Sequence, residues 1–110
     1  MRYEIVNRNG YAVVQLSGDV DMSTSPEVRE AIINSLKKGE PVLVDLSGVT
    51  YIDSSGVASL VEGYQTARAG KLDFGLIGVS SAAMNVLQLA RLDKVFPIAA
   101  NVDEHIRAVG

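Results

Sequence analysis

The chain has 110 residues, of which 47% are hydrophobic and 21% charged, enough for one ordinary core and too apolar for a disordered tail. A net charge of -3 and a pI near 5.0 oppose a nucleic-acid partner, and 5% aromatic residues without tryptophan leave no base-stacking platform. The absence of cysteine removes disulfides, thiol catalysis and cysteine-bound zinc.

From the first residues, "MRYEIVNRNG" lacks the apolar stretch of a signal peptide, and no apolar run reaches the roughly 18 residues of a membrane span. These features predict a single domain over residues 1–110, cytoplasmic and without direct membrane insertion. Tyr3 to Val6 and Tyr11 to Leu16 predict two strands, and Asn9-Gly10 between them supplies the positive φ of a tight hairpin turn. After "SGDVD", Thr24 or Ser25 is placed to cap a helix, with Pro26 in its first turn and Glu27 near its positive end. Val28, Ala31, Ile32 and Leu36 form its apolar stripe, Lys37-Lys38 suits its negative end, and Gly39 stops it.

Val42, Leu43 and Val44 are continuous and predict a strand buried on both faces. Asp45, beyond them, fits a strand-end acceptor for loop amides. A second helix opens at Ser54, carries Val57, Leu60, Val61, Tyr64 and Ala67 on one face, and closes at Gly70; Arg68 near its end is expected to lie over apolar surface. Leu72 to Val79 predicts a strand interrupted by Gly75, Ser80 to Leu92 a third helix, Val95 to Ile98 a short last strand, and Val102, Ile106 and Val109 the inner face of a final helix. Met22, Met84 and Leu89 are expected in core or rim packing. The order ββαβαβαβα predicts an α/β fold with a mixed, mostly parallel sheet and helices packed on it, whose ligands or partners meet the loops at the strands' carboxyl ends.

Two such loops are "SGDVD" and "IDSSG". A serine nucleophile there would need a nearby base; the only histidine is His105, close to the chain end, and no G-x-S-x-G elbow is present. Asp19, Asp21, Asp45 and Asp53 lack a helical metal-ligand spacing, so no metal is expected. The acidic pair, acceptor aspartate and strand-end lysine of a phosphoaspartate receiver are not assembled, and no phosphate-binding glycine loop occurs, so no cofactor is expected. What remains is a hydroxyl at a helix start. Ser54 can cap the helix through the amide of residue 56 or 57, and the same amides and dipole favour a phosphate.

Over about residues 3 to 109 the chain resembles a STAS domain of the anti-sigma factor antagonist type, on "LSGDVD", "VLVDLSGVTYIDSSGV", "LDFGLIGVS" and "LARLDKVFPI". The resemblance implies the STAS fold and a non-enzymatic protein. In that family the first serine after the motif aspartate accepts phosphate, which corresponds to Ser54, with Ser55 as the neighbouring candidate. Asp53 corresponds to the motif aspartate and Asp21 to the last aspartate of the family's G-E-L-D motif. On the same ground Asp21, Asp53, Ser55 and Gly56 are expected at the partner-binding surface. The implied partners are an ATP-bound anti-sigma factor serine kinase and a serine phosphatase. The implied alternative is the ATPase of a Mla-type phospholipid transporter, beside which STAS domains serve as small subunits. Ala58 departs from the family, which often has glycine there.

Overall fold

A computed structural model describes residues 1–109. Strands β1 (Arg2–Arg8) and β2 (Tyr11–Val20) form the antiparallel hairpin, and Asn9 and Gly10 at its tip have φ of 54° and 85°. There follow α1 (Ser25–Lys37), β3 (Val42–Ile52), α2 (Ser54–Ala69), β4 (Phe74–Ile77), α3 (Ser81–Leu89), β5 (Ile98–Ala99) and α4 (Val102–Val109). The sheet order is β1-β2-β3-β4-β5, parallel from β2 onward. This is the expected mixed, mostly parallel α/β fold.

The two-residue period of a strand explains how one apolar run serves two layers. Ala12, Val14 and Leu16 of β2 and Val42, Val44 and Leu46 of β3 turn toward α1, α2 and α3, which contribute Val28, Ile32, Leu36, Leu60, Ala67, Ala83 and Leu87 to the same core. The intervening Val13 and Leu43 join Ile77 on the opposite face, where Val102 of α4 packs. Val42, Leu43 and Val44 are therefore buried on both faces, as their unbroken apolar character implies. No helix of the described residues is long and apolar enough to cross a membrane.

Several boundaries differ from expectation for local reasons. β2 runs through "SGDV" instead of ending before it, because register shifts near Ser17 and Gly18 keep the strand paired to β3 as far as Val20↔Ile52. Gly18 takes φ 83°, and a Cβ on Gly48 would lie 2.8 Å from Ser17 Cβ, so both glycines serve this irregular pairing. The expected strand at Val95 to Ile98 shrinks to Ile98–Ala99. Val95 and Phe96 instead turn back on Leu92 O, and Phe96 is buried in an aromatic cluster with Tyr64 and Phe74. α3 ends at Leu89, with Arg91 at φ 60° just beyond. Leu89, expected to pack, is 86% exposed at that helix end, whereas Met84 is half-buried.

The inner face of α4 also differs. Its buried residue is His105, 1% exposed, while Val109 is 52% exposed. His105 Nε2 lies 2.7 Å from Asp73 Oδ2, which also accepts a 2.5 Å hydrogen bond from the Tyr11 hydroxyl. The ring sits on Gly75, where a Cβ would come within 2.6 Å of His105 Cε1. Thus the glycine interrupting β4 makes room for an imidazole. Burial works against the Asp73 carboxylate, but hydrogen bonds from Tyr11 and His105, the His105 charge and the Phe74 N–H together hold its pKa below the ordinary 3.8. Burial, followed by the hydrogen bond to Asp73 and its charge, pushes the Tyr11 phenol up to about 12.

Two predictions follow from this trio. Gly75→Ala forces the imidazole or the backbone to move and lowers stability by about 1–3 kcal/mol in urea denaturation. Asp73, whose folded pKa is depressed, contributes stability that is present above its ordinary pKa of 3.8 and lost as pH falls through the lower folded value. The Tm advantage of wild type over Asp73→Asn is therefore full near neutral pH and shrinks in melts carried down to about pH 2.5.

Candidate functional site

The parallel pairing of β2 and β3 brings their carboxyl ends to one corner of the sheet. There the Asp53 N–H donates to Val20 O at 3.1 Å, so the start of α2 is tied to the end of β2. The chain then takes extended geometry at Asp53 (φ -107°, ψ -173°) and enters the helix. Asp53, not Ser54, is the cap. Its Oδ1 accepts from Ser55 N at 2.9 Å, Gly56 N at 3.2 Å and Ser55 Oγ at 2.5 Å. The Ser55 hydroxyl, then the Gly56 and Ser55 amides, outweigh desolvation and the nearby Asp21 charge, and they hold the Asp53 carboxyl below its usual range.

The expected role of Ser54 as a cap is therefore corrected. An aspartate is as good a cap as a serine, and its carboxylate also complements the helix dipole. Its carboxylate takes the Ser55 and Gly56 amides, and the Val57 N–H donates to the Asp53 carbonyl at 3.0 Å, so both amides considered for the Ser54 cap or a phosphate are engaged by Asp53. Ser54 is exposed on the first helical turn, outside this hydrogen-bond network. Ser55 is half-buried and its hydroxyl is held by Asp53. Of the two candidates, Ser54 is the exposed one, and the cap bonds are made without it.

Asp21 organises the other half of the corner. Its Oδ1 accepts from Ser23 Oγ at 2.7 Å and Ser23 N at 3.0 Å, and its carbonyl accepts from Ser25 N at 2.7 Å. The bonds from Ser23, led by its hydroxyl, also lower the Asp21 pKa. Thr24 occupies the cap position of α1, but its side chain makes no capping bond; Thr24 Oγ1 instead accepts from Asp21 N at 2.9 Å. Met22, expected to pack, is 77% exposed at this turn. Ser59 crosses between the helices and donates to Ser25 O at 3.2 Å, which holds the α1 and α2 starts together.

Asp21, Asp53, Ser54 and Ser55 thus meet at one hydrogen-bonded corner. Gly56, expected at its surface, lies beneath it. It is buried, and a Cβ there would come 2.7 Å from Ile52 Cγ1 and 2.9 Å from Val20 Cγ1. Ala58, at an exposed position on the next turn, lies on the outer side of α2. Outside the corner, Asp45, expected at a strand end, lies inside β3, which runs on to Ile52, and its Oδ1 accepts from Ser47 N of the same strand at 2.9 Å; the Arg68 guanidinium lies 5.6 Å from the Tyr64 ring centroid, as expected. The His105–Asp73–Tyr11 trio had no sequence motif; its one signal was a glycine inside a strand. The exposure of Met22 had none.

The assignment of the cap gives a simple test. Asp53→Ala leaves two amides without an acceptor and lowers Tm by several degrees, whereas Ser54→Ala leaves the melting curve within about one degree of wild type.

Comparison with known proteins agrees with this architecture. The family model of the STAS domain matches residues 2–105. The anti-sigma-F factor antagonist RsfB of Mycobacterium tuberculosis is 27% identical over 107 residues, covering 96% of this chain and 86% of that protein. The anti-sigma-B factor antagonist of Listeria monocytogenes is 27% identical over 84 residues, covering 76% and 74%. The crystal structure of an anti-sigma factor antagonist from Mycobacterium paratuberculosis superposes with a TM-score of 0.84 at 30% identity, covering 98% of this chain and 92% of that one. With its sheet order, its capped corner and a family match spanning nearly all of its residues, the chain belongs to the STAS domain family.

Proposed function

We propose that this chain is an anti-sigma factor antagonist that works in the cytoplasm and is switched at Ser54. Unphosphorylated, its β2–α1 and β3–α2 corner docks on an ATP-bound anti-sigma factor serine kinase and frees the sigma factor. The kinase then phosphorylates Ser54, the complex separates, and a serine phosphatase resets the cycle. The chain is the substrate of this chemistry and catalyses none of it. Asp21, Asp53 and Ser55 hold the shape of the docking corner, with Gly56 supporting it from below.

The observation that carries the proposal is the division of labour between Asp53 and Ser54. The aspartate caps the helix, so the exposed serine hydroxyl is free to be modified without unfolding the site. A phosphate there brings about -1.5 to -2 charges, and the helix start favours them by only roughly 0.3–1 kcal/mol. Against a partner carboxylate about 4 Å away, at an effective dielectric near 20, each unit of charge costs about 4 kcal/mol. That is nearly three powers of ten in affinity. The fold stays and the partner leaves. The matched relatives named as antagonists of anti-sigma factors support this reading over the transporter-subunit alternative.

Affinity capture from native extract with wild type, Ser54→Ala and Ser54→Asp tests the proposal. Wild type and Ser54→Ala retain an ATP-binding serine kinase, and Ser54→Asp loses it with an unchanged melting curve. Incubation of the captured kinase with ATP labels wild type at Ser54 and leaves Ser54→Ala unlabelled. Equal retention of a transporter ATPase by all three proteins would overturn the assignment.

A further inference from the structure

The sheet has an open edge. Among the described residues β1 pairs with β2 on one side only, six of its seven residues are exposed, and Tyr3 and Ile5 remain 44% and 45% exposed. The hairpin fixes which of its backbone groups are free. In a two-residue turn with two positive φ values the flanking pair, here Arg8 and Tyr11, is hydrogen-bonded across the ladder. Alternation then points the N–H and C=O groups of Arg2, Glu4, Val6 and Arg8 toward β2 and those of Tyr3, Ile5 and Asn7 outward. Three consecutive odd-numbered residues thus offer six unpaired backbone groups.

We propose that this edge pairs, antiparallel, with β1 of a second copy of the chain, with Val6 facing Val6 across a two-fold axis. Charge selects that register. Centred on Val6, Glu4 of each copy stands opposite Arg8 of the other, giving two opposite-charge pairs on the face that carries Val6. The outward groups of Ile5 and Asn7 then meet as hydrogen-bonded pairs, making four backbone hydrogen bonds. Centring on Ile5 sets Arg2 against Arg8 twice, and centring on Glu4 sets Glu4 against itself. Centring on Tyr3 or on Asn7 leaves only three residues of β1 overlapping. Charged residues on an edge strand guard against indiscriminate pairing, and here the same three charges leave favourable one register, which pairs five of the seven residues of β1.

The arrangement is compatible with the docking corner. Arg2 lies opposite Ser17 and Arg8 opposite Tyr11, so the Val6 axis lies nearer the turn end of β2 than the Val20 end. Antiparallel pairing points the strands of the two sheets in opposite directions. The Ser54 corners therefore lie at opposite ends of a continuous ten-stranded sheet, and a dimer offers two separate docking sites.

The absence of cysteine makes the register directly readable. Facing residues of a non-hydrogen-bonded pair have Cα atoms about 4.5 Å apart, within disulfide reach. In a glutathione redox buffer Val6→Cys forms a covalent dimer at a rate roughly tenfold above Ile5→Cys. In sedimentation equilibrium wild type shows a concentration-dependent dimer, Arg8→Glu weakens it by roughly tenfold, and Glu4→Arg combined with Arg8→Glu restores it. A wild type that sediments as one chain at every concentration overturns the proposal. So does a double variant no tighter than Arg8→Glu, or faster cross-linking at Ile5→Cys.

Discussion

The parallel pairing of β2 with β3 is the constraint on which the rest depends. Both strands carry apolar side chains on both faces, so each must be covered from two sides. α1, α2 and α3 cover one side, and α4 covers part of the other. Because the pairing is parallel, the two strands end at the same edge of the sheet, and the helices that follow both start there. The hydrogen bond from Asp53 N–H to Val20 O fixes those starts relative to one another. A corner with two helix beginnings and two aspartates is thus a consequence of sheet topology.

At that corner, stability and the proposed regulation rest on neighbouring residues. Asp53 satisfies the first amides of α2, and Gly56 allows the helix to settle against Ile52 and Val20 with no intervening methyl group. Neither task needs Ser54. A regulated hydroxyl that was also the cap would change helix stability each time it was modified. Separating the two leaves the proposed phosphate to act on the partner through charge, while the domain keeps its shape.

The far face of the sheet follows a different logic. α4 is short, and it is anchored less by a broad apolar stripe than by one buried imidazole bound to Asp73. Gly75 and Tyr11 complete the niche, one by lacking a side chain and the other by satisfying the same carboxylate oxygen. A buried ionisable group is tolerable only when its polar atoms find partners, and among the described residues no buried side-chain nitrogen or oxygen lacks one.

Periodicity and turn chemistry in the sequence determined the order of elements, the Asn9-Gly10 hairpin and the double burial of Val42 to Val44, because these are properties of neighbouring residues. The "IDSSG" stretch determined where the candidate site lies, since strand end, aspartate and helix start are contiguous. Local reasoning took Ser54 as the cap of α2 where the structure uses Asp53, because both residue types cap well and the choice rests on the extended backbone at the end of β3. Nor could it foresee that Met22 and Leu89 would be exposed, since an apolar residue near a helix end packs only if another element reaches it. The burial of His105 depended on residues 30 and 94 positions away, Gly75 and Tyr11, as well as on Asp73. Only the tertiary structure brings those together, because their contact is made across sheet and helix and leaves no spacing in the chain.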